Sequence, residues 1–251
     1  MDERVWAIDI SFHAIMEESA LVVERFPVVQ LSEQPIANSS LATIQTDRWI
    51  DATWEEFLFA SEQPEFAKAK AYFFNQQMRI ETMGVGANHA RDNTLLLFII
   101  NLFCTIADIS LDGLTNASYR SERHREAQPD LSYYIGDRSN LTPKGSSIID
   151  LDQFPKPDLA IEISDSSLAE DLGTKRLLYE TIGIAEYWVI DVERSKITAF
   201  AIETPGSRQI KTSLVLPGLS FQILEEALKL SRSQNQAQVG RWLMQQFQAI
   251  D

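Results

Sequence analysis

The sequence predicts one domain of the α/β or α+β class, and three observations carry that expectation. Apolar residues make up 45% of the 251 positions against 23% charged, enough to bury a substantial core. Helical and extended periodicities follow one another in mixed order without an internal repeat, which excludes solenoids and propellers. A single cysteine, Cys104, and three histidines exclude a disulfide framework and any zinc site built from several cysteines.

Charge narrows the function. With 22 Lys and Arg against 36 Asp and Glu the formal charge is −14, which argues against a protein that coats nucleic acid through a broad basic surface. It does not exclude a nuclease, because exposed charges are screened over about 8 Å and local groups decide the field in one cleft. The strongest apolar run, Leu95 to Ile100, is far shorter than the roughly 18 to 20 residues of a membrane span, and no signal peptide opens the chain. A cytoplasmic protein with no membrane partner is expected.

Residues 1–50 read as an extension with a helix around Phe12 to Val23 and a stretch from Pro27 to Asp47 interrupted by Pro, Ser and Asn; packing or pairing is its expected role. The domain follows over 51–230. A short helix from Trp54 to about Ala60 leads to an extended segment, Ala71 to Met83, which Gly84 and Gly86 break. Asn88 is the expected N-cap of a helix from His89 to about Ile109, apolar on nearly all sides and hence central. From Asp130 to Ile135 the period is two, with Asp130, Ser132 and Tyr134 opposite Leu131, Tyr133 and Ile135. Residues 136–157 form a long loop, of the kind that is often functional or mobile. The strand Asp158 to Ile163 turns Leu159, Ile161 and Ile163 one way and Asp158, Ala160 and Glu162 the other, a face that reads as solvated unless its carboxylates have work to do. Ser167 with Glu170 fits a capping box and Gly183 a C′ stop, giving a helix from Leu168 to Ile182. Strands are expected at Glu186 to Asp191, Lys196 to Ile202 and Ile210 to Leu216. Residues 231–251 read as a linker and a last helix, about Val239 to Ile250.

The helix at 168–182 departs from pure packing. Leu168, Leu172, Leu178, Tyr179 and Ile182 fall within an arc of roughly 120°, and Lys175 projects into its middle with Asp171 alongside. Either these two form an exposed i,i+4 pair worth about 0.2 to 0.5 kcal/mol, or the lysine is drawn into a polar cavity between helix and sheet. On the second reading Lys175→Met should keep the fold, since the apolar isostere suits the arc.

Asp158 and Glu162 lie about 13 Å apart on one strand and cannot share a metal. Neighbouring strands are about 4.8 Å apart, so Asp130 with Glu162 is the sensible pair. Oxygen ligands without Cys or His suit Mg²⁺ or Mn²⁺. A lysine beside such an ion stabilises charge developing on a phosphate, and the set makes a phosphodiester-cleaving site.

The segment Pro157-Asp-Leu-Ala-Ile-Glu-Ile-Ser, then Ser167-Leu, Asp171, Lys175, Tyr179 and Gly183-Ile-Ala-Glu-Tyr-Trp-Val-Ile-Asp191, resembles the Uma-type putative restriction endonuclease family, a branch of the PD-(D/E)xK nuclease superfamily. Met78-Arg-Ile-Glu81-Thr-Met83, His89 and Pro129-Asp130-Leu-Ser-Tyr agree, and the matches run from about Trp54 to Ala201. The resemblance implies a restriction-endonuclease-like core, a mixed β-sheet flanked by helices, acting on DNA with a divalent cation. It implies that Asp130 is the first aspartate and Glu162 the acid of the (D/E)xK element. The lysine slot of that element holds Ser164, and Lys175 takes the lysine's part from the following helix.

Other residues have plainer alternatives. Glu81 is a further metal ligand or an exposed strand-end glutamate; Asp158 is a metal ligand only if the second Pro-Asp, not the first, is catalytic. His89 caps its helix or contacts phosphate, Asp171 orients Lys175, Cys104 lies in the core, and Tyr187 and Trp188 pack their strand. Cutting both strands of a duplex suggests a homodimer. The competing function is a non-catalytic binding or regulatory module on the same fold; a glycosidase with carboxylates about 5 to 9 Å apart finds no sugar-binding feature beside them.

Overall fold

Two six-stranded mixed sheets organise the computed structural model, which describes residues 44–122 and 124–248. The expected helix around Phe12 to Val23, the interrupted stretch up to residue 43 and their expected pairing role lie outside the described residues. In chain order the elements are β1 (Ile50–Asp51), α1 (Trp54–Ser61), β2 (Lys70–Phe74), β3 (Gln77–Glu81), α2 (Ala87–Ile106), β4 (Leu111–Thr115), β5 (Tyr119–Ser121), β6 (Arg125–Ala127) and β7 (Leu131–Ile135). There follow β8 (Ile149–Asp150), β9 (Leu159–Ser164), α3 (Leu168–Leu172), α4 (Thr174–Ile182), β10 (Glu186–Asp191), β11 (Lys196–Ile202), β12 (Ser207–Ile210), α5 (Phe221–Leu230) and α6 (Gln236–Gln248). The first sheet has the order β1-β3-β2-β6-β5-β8 and the second β12-β11-β10-β9-β7-β4. The fold is α/β with helices flanking the sheets, but it has two sheets where the sequence led us to expect one.

The second sheet is covered on both faces. On one side α2, α5 and α6 press Leu96, Ile99, Leu224 and Leu243 against Leu131, Ile161 and Trp188. On the other, α4 and strands of the first sheet bring Tyr72, Leu178 and Tyr179 against Ala160, Tyr187 and Val189. Every residue of β9 is therefore buried, and the solvated face expected for Glu162 does not exist. Among the described residues no helix is long and apolar enough to cross a membrane.

Local chemistry explains where elements begin and break. Thr53 and Glu56 form a reciprocal capping box on α1. Asn75 and Gln76 turn the β2–β3 hairpin with φ of 51° and 58°, the left-handed pair of a two-residue turn. Helix α2 starts after Gly86, and the Asn88 side chain accepts from Arg91 Nη1 at 2.8 Å instead of capping. The helix expected over 168–182 is split at Gly173, where φ is −101° and ψ −106° and an added Cβ would lie 2.8 Å from the Ala169 carbonyl oxygen. Ser167 caps nothing; its hydroxyl donates to Asp171 Oδ2 at 2.6 Å. Gly183 ends α4 in the left-handed region, φ 77°, as expected. The strand expected over 210–216 stops at Ile210, because the buried Glu186 carboxylate gathers the N–H groups of Leu214 and Val215 and the Ser213 hydroxyl into a turn.

Beyond α5 the polar stretch from Ser231 turns tightly back on that helix, and α6 begins at Gln236, three residues earlier than expected. Arg232 grips fully buried Asp92 of α2 through two bonds of 2.6 Å and donates to the Val192 carbonyl at 3.0 Å. Arg232→Met is expected to cost about 3 to 5 kcal/mol, because Asp92 is left as an uncompensated buried charge. Urea denaturation reads this directly, and an unchanged midpoint would refute it.

Candidate active site

Strand register brings the two acids together. β7 runs antiparallel to β9 with Leu131 opposite Ile161, so Asp130, the residue before β7, falls beside Glu162. Ile163 N–H donates to Asp130 Oδ2 at 2.8 Å and fixes that carboxylate. Because Ile161 and Ile163 face α2, Glu162 between them faces α4 and the first sheet. There the Tyr179 hydroxyl donates to its Oε1 at 2.7 Å. The Tyr72 hydroxyl lies within hydrogen-bond distance of the same oxygen, 3.1 Å, and of the Gln128 carbonyl, 2.8 Å, and shares its one proton between them.

A lysine stands on each side of Glu162. Lys175 Nζ lies 2.9 Å from Asp171 Oδ1, 2.9 Å from Glu81 Oε1, 3.7 Å from Glu162 Oε1 and 4.1 Å from the centre of the Tyr72 ring. Lys70, at the start of β2, lies 2.7 Å from Asp130 Oδ1 and 3.8 Å from Glu162 Oε2. His89, in the first turn of α2, brings Nε2 to 3.5 Å from Asp130 Oδ2. Arg79 Nε pairs with Glu81 at 2.7 Å, and the Ser164 and Ser167 hydroxyls both donate to Asp171 Oδ2.

The charges are strongly coupled. Burial pushes the Glu162 carboxyl up to about 7, with Lys175 and Lys70 pulling against it and Asp130 and Asp171 adding to it. Burial would raise Asp130 too, but Lys70 and then His89 hold it well below the usual carboxylate range. Glu81 is likewise lowered, since Lys175 and Arg79 outweigh its burial. Burial works to discharge Lys175, and Glu162, Asp171 and Glu81 overcome it, so the ammonium stays charged. Formally, four carboxylates (Glu81, Asp130, Glu162, Asp171) face three permanent cations (Lys70, Arg79, Lys175), leaving −1.

Of the residues singled out from sequence, Asp130, Glu162 and Lys175 are brought together, with Asp171 and Glu81 bound to the lysine. Glu81 reaches the group through Lys175 and not through the Asp130 or Glu162 oxygens. The Asp171–Lys175 pair is buried, so the exposed-pair reading is wrong. Asp158 is not part of the group: at the opposite end of β9 it accepts from Ile135 N–H at 2.9 Å and pairs with Arg138 Nε at 2.7 Å. Cys104, Tyr187 and Trp188 are buried as expected. Sequence reasoning missed Lys70 and Tyr72. The alternation that puts both on one face of β2 was a usable signal, but nothing near them in sequence pointed to acids.

The donor set fits a hard divalent ion in a restricted way. Among the described residues no group of three or more His, Cys, Asp or Glu is arranged to hold a metal. Asp130 Oδ1 and Glu162 Oε2 nevertheless converge on one cation, the Lys70 ammonium, and two carboxylates with water suffice for Mg²⁺.

Among curated proteins none matches the chain. The solved structure of "a putative nuclease belonging to DUF820" from Anabaena variabilis ATCC 29413 is similar at 19% identity with a TM-score of 0.51, covering 70% of this chain and 98% of that one, a likeness of fold. The model of the Uma2 family, described as "Putative restriction endonuclease", matches residues 54–237 of the 251. With well over half of its length matched, the chain belongs to the Uma2 family.

Proposed function

We propose that the protein is a divalent-metal-dependent DNA endonuclease that hydrolyses phosphodiester bonds at the Asp130–Glu162 pair. The observation that carries this reading is the convergence of Asp130 Oδ1 and Glu162 Oε2, from adjacent strands, on a single cation. The family's description and the nuclease title of the similar structure point the same way. In this reading the two oxygens would hold Mg²⁺ or Mn²⁺. Such an ion supplies Lewis acidity to the phosphoryl oxygens and to the water that attacks phosphorus.

The chain's own residues do the rest. Ile163 N–H aims Asp130, the Tyr179 hydroxyl aims Glu162, and Lys175 lets three acids pack together without repulsion. A divalent charge would turn the formal −1 of the group into +1, matched to the single negative charge of a phosphodiester. A water oxygen joins phosphorus as one ester P–O bond breaks; one of the water's protons ends on the leaving oxygen, and the products are a phosphate monoester and a hydroxyl. A pair of copies acting on the two strands belongs to the same proposal, and light scattering at micromolar concentration reads it.

A binding or regulatory module on the same fold is favoured by one feature, the internal cation already seated between the acids. Plasmid nicking with Mg²⁺ or Mn²⁺, with chelator as control, separates the two. A wild type that binds no Mn²⁺ and cuts neither plasmid nor single-stranded DNA sinks the nuclease and favours the module.

A further inference from the structure

We infer that Lys70, and not Lys175, is the lysine that meets the scissile phosphate, an inference that rests on the nuclease reading above. The two ammonium groups lie at opposite oxygens of Glu162. Lys175 has Asp171 and Glu81 at 2.9 Å, Glu162 Oε1 at 3.7 Å and the Tyr72 ring at 4.1 Å, and only 2% of its side chain is exposed. An ammonium has three donors. With these neighbours around it and almost no exposed surface, Nζ offers a phosphate oxygen no open approach. Lys70 has one short partner, Asp130 Oδ1 at 2.7 Å, and a long one, Glu162 Oε2 at 3.8 Å, with 19% of its side chain exposed. It keeps a donor to spare and an open side.

The acids' remaining valences agree. Asp130 Oδ2 is taken by Ile163 N–H and faced by His89; Glu162 Oε1 is taken by Tyr179 and faced by Lys175. The two oxygens left to hold an ion are the two that Lys70 touches. Whatever the acid pair binds sits on Lys70's side of Glu162, and Lys175 stands shielded behind it. A lysine stem is flexible and its ammonium is a compact charge. Lys70 can therefore yield Asp130 Oδ1 to an incoming ion and turn to the phosphoryl oxygens, where it stabilises developing negative charge without forming a bond to substrate. Lys175 remains a positioning residue that acts through Glu162.

The test compares wild type with Lys70→Met and Lys70→Arg by thermal melting, by Mn²⁺ calorimetry, by fluorescent-duplex affinity in Ca²⁺, and by plasmid nicking at saturating Mn²⁺. The Met variant should fold and bind Mn²⁺ at least as tightly as wild type, because a competing cation is gone. It should bind the duplex roughly tenfold more weakly and nick at least about a hundredfold more slowly, with Arg restoring part of both. Nicking at the wild-type rate overturns the inference. So does loss of Mn²⁺ affinity together with activity, which would make Lys70 a support for the acids. If wild type binds Mn²⁺ and duplex but never nicks, the nuclease reading fails alone; a tenfold loss of duplex affinity then still supports the Lys70 contact, and unchanged affinity refutes it. A wild type that binds neither refutes both. Should the Met variant fail to fold, Lys70→Gln is read by the same criteria.

Discussion

Lys175→Met is expected to lower the stability of the protein by about 3 to 5 kcal/mol at neutral pH, the cost of leaving buried charge without its partner. From the sequence alone the opposite was expected, since an apolar isostere suits the arc of the helix. The structure changes the sign because the lysine neutralises three carboxylates, Asp171, Glu81 and Glu162, in a space where it is itself only 2% exposed. Methionine fills the volume and leaves the acids facing one another. The effect has a pH signature. In wild type Asp130 and Glu81 sit below their ordinary values, so they contribute stability at neutral pH that is lost as pH falls through the carboxylate range. In the variant Glu81 and Glu162 are pushed upward, and groups raised in the fold favour it only once protonated. The gap between the two proteins should therefore shrink on acidification from pH 7 to about 4. Urea titrations at both pH values decide it, and equal midpoints at neutral pH would sink the account. At a temperature where the variant is folded, nicking should still fall at least about a hundredfold, because Glu162 loses the cation that favours its ionised form and holds it in place.

The double variant Asp130→Asn with Glu162→Gln is expected to lose Mn²⁺ binding by more than about a hundredfold, beyond the 10- to 100-fold that even an outer partner of a metal ligand typically costs. The amides keep the local structure: an Asn oxygen still accepts from Ile163 N–H and a Gln oxygen from Tyr179. On the side facing Lys70 the two anionic oxygens give way to uncharged amide nitrogens, which cannot ligate a hard cation. Asp158→Asn serves as the control, since that side chain is spent on Arg138 and Ile135 at the far end of β9. Calorimetry that returns the wild-type affinity from the double variant would remove Asp130 and Glu162 as the ion's holders.

Legibility in the sequence followed range. β10 and β11 were read to the residue, since two largely apolar segments are joined by a short polar turn. Composition overstated the burial of α2: Leu95, Leu96, Ile99, Ile100 and Phe103 face the sheet as expected, but Phe98 and Ile106 lie on an exposed face, 43% and 41% accessible. Asp130 was legible as the sensible partner of Glu162 because Asp158 lies too far along the same strand, whereas the register that sets the two acids side by side shows only in the structure. The first sheet was not legible: β1, β5, β6 and β8 are two or three residues long, too short for any period to show. The break at Gly173 was hidden because glycine inside a helical pattern is usually tolerated, and only the Ala169 carbonyl reveals that a side chain has no room there. Lys70 could be set on one face of its strand with Tyr72 but not beside an acid, because that acid lies 60 residues away. No local pattern announces a contact between two sheets.

That separation has a consequence for when the chemistry exists at all. Lys70 and Glu81 belong to one sheet, Glu162 to the other, and Tyr72 meets Glu162 across 90 residues of chain. Contacts of such range form late, after long loops have closed. A site assembled across such a seam is incomplete while the chain is being synthesised and again whenever the sheets part. On the proposed reading, cleavage is thus confined to fully folded molecules, and whatever holds the seam open abolishes it without touching a single residue of the acid pair.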